Sequence, residues 1–205
     1  MQYVRELKYG LHVIFHPFDG FWDLKREKRG SLAAALTFVV AVIFISTLEK
    51  QCTGFLFNAV RLSDVNVIVD ILTVGMLYVL WCVSNWCLTS LMDGEGTMKD
   101  IMIATGYALV PMILIRLPII PLSSVITVDE GTFYYVFGTI SYIWTGFLVF
   151  FATMITHQYS LKKTVVTCLC TIVGMGIILF IGLLFFNVIQ QMISFGMTIY
   201  REIRF

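Results

Sequence analysis

Charge is what this sequence lacks most. Of 205 residues only 13% are charged, 59% are hydrophobic, and the mean hydropathy is +0.88. A soluble domain carries nearer about 25% charged residues. The longest polar stretch is segment 1–31, so no water-soluble domain of useful size fits outside the apolar runs. The formal net charge of +1 excludes a broad basic surface for nucleic acid. The cysteines, Cys52, Cys82, Cys87, Cys168 and Cys170, are odd in number and lack CxxC spacing, which argues against a disulfide framework and a zinc site. Four of them fall in apolar runs and read as small hydrophobes; only Cys52 is expected to be exposed. There is no phosphate-binding loop, nucleophile elbow or HExxH, and nothing in the apolar runs sets a nucleophile beside a base, so neither an enzyme nor a cofactor is expected. Segment 1–31, ahead of the first apolar run, is too long for the n-region of a cleavable signal peptide.

What is present is five apolar runs, at residues 32–48, 68–91, 101–120, 132–156 and 164–189. Each is long enough to cross a hydrocarbon core of about 30 Å. The expected fold is all-α: a polytopic bundle of five transmembrane helices with interfacial amphipathic segments. Val4, Leu7, Leu11, Ile14 and Phe15 recur near helical spacing, predicting a short helix lying on the membrane surface within segment 1–31. Residues 51–67 predict another on the far face, and the tail 190–205 is expected to lie along the interface.

Five spans put the termini on opposite sides. With the N-terminus in the cytoplasm, the inner segments hold nine Lys and Arg residues: Arg5, Lys8, Lys25, Arg26, Lys28, Arg29, Lys99, Lys162 and Lys163. The outer segments hold four, Lys50, Arg61, Arg201 and Arg204. That bias predicts a cell-membrane protein with a cytoplasmic N-terminus and an extracytoplasmic C-terminus. Trp22 suits the headgroup level, and Lys25, Arg26, Lys28 and Arg29 beside it pin the topology and are candidates for contact with lipid or a partner.

The most informative stretch runs from Trp81 to Pro118. Arg116 lies about 22 Å up span 3, and Asp70 reaches a similar depth from the outer end of span 2, so the two are expected to pair. Asn85 and Tyr107 also match in depth and are expected to share a hydrogen bond. Pro111 predicts a kink in mid-span, and Pro118 with Pro121 is expected to end the helix. Thr97 followed by Asp100 resembles a capping box, while the neighbouring Asp93-Gly94-Glu95-Gly96 run has too few spaced oxygens for a calcium loop. Gly138, Ser141, Thr145 and Gly174 are small and offer surfaces for close helix contact. His12 and His16 have the i, i+4 spacing of a metal pair, but Pro17 ends the helix and no third ligand is fixed, so no metal is expected. His157 reads as a lone cation suited to a helix C-terminus.

The third span, with Gly106-Tyr107-Ala108-Leu109-Val110-Pro111 at its centre, resembles the Yip family of five-span membrane proteins. The segment HPFDGFWDLKREKRGS, residues 16–31, resembles its bacterial members. The resemblance covers nearly the whole chain. It implies a non-enzymatic protein of a bacterial cell membrane that acts through membrane lipids or other membrane proteins. Eukaryotic members carry a long cytosolic N-terminal region and are linked to Rab GTPases and vesicle traffic. This chain has only the short segment 1–31 there, which argues against carrying GTPase binding over.

The reading that follows is an adaptor or accessory subunit that binds another integral membrane protein, such as a transporter permease. A small transporter or channel with a polar site between spans 2 and 3 is the alternative. A lipid-organising or trafficking factor is a weaker one.

Overall fold

The computed structural model describes residues 2–54, 57–58, 65–127 and 129–204. They form eight helices: α1 (Gln2–Phe15), α2 (Pro17–Arg26), α3 (Leu32–Cys52), α4 (Val67–Leu91), α5 (Met98–Ala108), α6 (Val110–Leu122), α7 (Gly131–His157) and α8 (Leu161–Arg204). By length and composition, α3, α4, α5 with α6, α7 and α8 make five segments able to cross a membrane, and the protein is a multi-pass membrane protein.

Local chemistry sets the helix starts. The Ser31 hydroxyl accepts from the Ala34 N–H at 3.2 Å, and the Asn66 side chain accepts from the Ile68 N–H at 3.0 Å. At α5 the capping box is complete: Thr97 Oγ1 accepts from the Asp100 N–H, and Asp100 Oδ2 accepts from the Thr97 N–H at 3.0 Å. Each cap satisfies donors that a helix start leaves free.

The third span is the most enclosed of the five and breaks at Leu109, between α5 and α6. Pro111 sits in the first turn of α6, where its missing N–H costs least, and its ring excludes the carbonyl of Tyr107 from a regular bond. Pro118 and Pro121 do not end the helix as expected; α6 continues through both to Leu122. Packing of α6 against α3 and α7 holds the turn that the two missing N–H groups weaken.

Gly106 lets α3 and α5 touch backbone to backbone. A Cβ there would lie 2.7 Å from Ala35 Cβ and 2.9 Å from Ala35 Cα and O. The Ala33–Ala35 stretch of α3 supplies the matching flat surface.

The N-terminal segment is not one helix on the membrane surface but two, sunk into the flank of the bundle. Val13, Ile14, Phe21 and Leu24 are buried in one core with Ala34, Phe38, Tyr107, Val110, Leu148 and Phe151. Gly10 packs against Phe38 and Val110, so α1 reaches the level of the Leu109 break. At the other end, the tail does not turn onto the interface: α8 runs unbroken for 44 residues. The helix expected in residues 51–67 lies partly outside the described residues, which there are 51–54, 57–58 and 65–67. Cys52 is exposed as expected; Cys87 and Cys170, within the apolar helices, also lie on the outer surface of the bundle, while Cys82 is buried.

Candidate functional site

Two polar centres lie at opposite ends of the bundle. The far one forms at the last turn of α3, where Glu49 and Lys50 stand side by side. Successive helical residues point about 100° apart, so the two serve different neighbours. Arg116 Nη1 donates to Glu49 Oε2 at 2.6 Å, Nε donates to Ser141 Oγ at 3.3 Å, and the guanidinium carbon sits 4.2 Å from the Tyr142 ring centre. Lys50 pairs with Asp70, which also accepts from Thr47 Oγ1 at 3.1 Å. Glu49, Lys50, Asp70, Arg116 and Tyr142 line a cavity of about 390 Å³, together with Ser46, Asn58, Thr73 and Tyr134.

Asp70 and Arg116 therefore share a cavity but not an ion pair. The break at Leu109 accounts for the difference. It sends α6 against α3 and α7, and the end of α3 comes between Arg116 and α4. The signal was present in the sequence: Glu49 and Lys50 sit at the depth of both charges, but they read as residues that merely close span 1.

The near centre is built on His157, which is 1% exposed. Its Nδ1 accepts from the Gly96 N–H at 3.3 Å. The ring is therefore the neutral Nε2–H form, and Nε2 donates to Asn85 Oδ1 at 3.1 Å. Asn85 Nδ2 donates to Thr171 Oγ1 at 3.3 Å, and Ser84 Oγ to the Thr171 carbonyl at 2.8 Å. His157 is thus neither lone nor cationic. Asn85 does not meet Tyr107, because it faces α7 and α8. Tyr107 faces the N-terminal helices, donating to the Glu6 carbonyl at 3.0 Å.

Gly94 and Gly96 allow the loop after α4 to close on this ring: a Cβ on either would come within 2.7 Å of an imidazole atom. Replacing His157 by phenylalanine should strand the Gly96 N–H and Asn85 Oδ1 and lower stability by about 2 kcal/mol or more. Thermal unfolding in detergent measures this. An unchanged midpoint would remove His157 from its place as keystone.

A family model for the Yip1 domain matches residues 11–185. The chain belongs to the Yip1 family. No curated protein and no solved structure matches it. Both polar centres lie within the Yip1 match, whereas the first turns of α1 and the part of α8 beyond Phe185 lie outside it.

Within the Yip1 region, the basic run before α3 is divided in two. Lys25 donates to the Thr156 carbonyl at 2.7 Å and, with Arg26, pairs with Glu95. Arg26 also lies 5.3 Å from the Trp22 ring centre. Lys25 thus fastens α2 to the bundle, while Trp22, Arg26, Lys28 and Arg29 remain exposed. His12 and His16 stack on each other at 5.0 Å.

Of the small residues, Ser141 is buried against Arg116, and a Cβ at Gly174 would lie 2.5 Å from Ser84 Oγ. Thr145 is buried with no hydrogen-bond partner for its hydroxyl among the described residues. A Cβ added at Gly138 would meet nothing within 4 Å among the described residues, so it does not serve as a helix-contact residue there.

Proposed function

We propose that the protein is a non-enzymatic membrane adaptor that holds another integral membrane protein through α8. The free length of α8 carries this reading. Thr164, Thr167 and Thr171 are buried against the rest of the bundle, yet every residue from Leu179 to Glu202 is exposed. Thr171 stands beside Ser84, in the later half of α4. The antiparallel α8 passes the first residue of α4 near Val188 and projects about 24 Å further. That projection keeps Ile189, Met192, Ile193, Phe195, Met197 and Ile199 exposed.

A helix apolar around most of its circumference is covered by something in its working state. Among the described residues, the amides of Asn187, Gln190 and Gln191 have no partner, and such amides drive association between helices in a membrane. A helix of a second membrane protein, long enough to follow α8 beyond the bilayer, satisfies both demands. Cell-membrane insertion with a cytoplasmic N-terminus is part of this reading and rests on the nine-to-four basic bias.

A transport conduit has less support. The far charges are closed in pairs, and Asp70 and Asn85 stand about 22 Å apart along α4 with Tyr78, Leu80 and Cys82 buried between them.

A photo-crosslinker placed at Phe185, Met192 or Ile199 in native membranes should give one discrete heteromeric adduct. Asn187→Leu with Gln191→Leu should reduce it several-fold, and a probe at Val79 on α4 should not give it. Adducts only to lipid, or only to a second copy of the chain, would overturn the adaptor reading.

A further inference from the structure

Between α1 and the turn joining α2 to α3 lies a cleft of about 730 Å³, lined by Arg5, Glu6, Tyr9, Lys28 and Arg29. Three of its five lining side chains are cations. Arg29 is engaged with Glu27 at 2.5 Å and with Asp23 at 3.3 Å. Among the described residues, Arg5 and Lys28 have no acidic partner. The Glu6 carboxylate accepts from Ser31 Oγ at 2.5 Å. Tyr9 donates to Asp23 at 2.9 Å, and burial together with that carboxylate pushes its pKa up, so the phenol adds no negative charge. Lys28 has a φ of 52°, a left-handed conformation unusual for a residue with a Cβ, at the turn that brings it to the cleft. The cleft thus offers two cations without an ion-pair partner and a third beside them, against the single carboxylate of Glu6 that Ser31 holds.

Its position gives the ligand a second property. Val4, Leu11 and Phe15 are exposed and recur at intervals of seven and four, so they share one face of α1. Tyr3 of this helix hydrogen-bonds Thr37, in the second turn of α3, and Gly10 packs on Phe38. The apolar face of α1 is therefore held beside the second turn of α3, a membrane-crossing segment, while Arg5 and Lys28 line the cleft next to it.

We propose that this cleft binds the phosphate of an anionic phospholipid, with Arg5 and Lys28 as its ligands and the acyl chains laid along Val4, Leu11 and Phe15. The lipid anchors α1 against the bundle. Arg5 precedes the matched Yip1 region, so the site belongs to this chain's own N-terminal turn as much as to the family domain. The proposal does not depend on the adaptor reading.

The test uses the full chain in mild detergent with mixed phosphatidylglycerol and phosphatidylcholine, read by native mass spectrometry. Phosphatidylglycerol should be retained in preference, and Arg5→Gln with Lys28→Gln should lower that preference about thirtyfold. Lys99→Gln with Lys162→Gln removes the same charge from exposed positions on other elements and should leave the preference intact. Both double variants are compared only at an unchanged melting temperature, and Lys28→Arg should retain binding if the first double variant fails to fold. Equal losses in the two double variants, or no preference in the parent, would overturn the proposal. So would full displacement of the lipid by millimolar inorganic phosphate, which would assign the cleft to a free anion.

Discussion

Replacing Glu49 by leucine should destabilise the protein by about 3–5 kcal/mol, and so should Arg116→Leu, while the double replacement recovers most of the loss. The reason is the depth of the pair. The Arg116 side chain is 10% exposed and Glu49 27%, and they meet at 2.6 Å. Among the described residues, removing the carboxylate leaves the guanidinium with only Ser141 Oγ and the Tyr142 ring for company. Removing both charges leaves nothing to solvate. Unfolding of the purified protein in mixed micelles, arranged as a double-mutant cycle, measures the coupling. The same cycle between Asp70 and Arg116 should be close to additive, because Asp70 answers to Lys50 instead. A coupling larger for Asp70 than for Glu49 would reverse the assignment of partners.

Gly106→Leu should abolish accumulation of folded protein, and Gly106→Ala should cost about 1–3 kcal/mol. At this position a single methyl collides with the Ala35 backbone, which no side-chain rotation relieves. The two helices must separate, and separation also opens the core around Phe38 and Tyr107, whose rings meet edge to face at 5.1 Å. Ala35→Gly should recover part of the alanine defect by removing the nearest of the three clashing atoms. Gly182→Leu on the free length of α8 is the control, since a Cβ there meets nothing within 4 Å. Folded yield by size-exclusion chromatography and the melting midpoint distinguish the two glycines. Equal tolerance at both would mean that α3 and α5 are not in backbone contact.

The elements written into local sequence were readable directly. Thr97 and Asp100 form their capping box because both partners lie within one turn and need nothing from the rest of the chain. Pro111 marks the break because it acts on its own backbone, whereas the close contact at Gly106 needs Ala35 of another helix. The N-terminal segment was readable as helical from its period. Its burial was not, because an amphipathic face looks the same whether it meets lipid or protein; Val13 and Phe21 meet protein. The role of His157 was hidden for a related reason, since its partners Asn85 and Gly96 lie 72 and 61 residues away.

Hydropathy by itself determined that the chain crosses a membrane and how many times it can do so. Those properties follow from helix rise and from the cost of unpaired backbone in oil, and both are local. Only the tertiary structure decided which charge meets which. Depth fixes one coordinate of a side chain, but partnership also depends on how each helix is rotated about its axis. In this protein the turn at Leu109 sets that rotation for Arg116, carrying it toward Glu49 and away from Asp70.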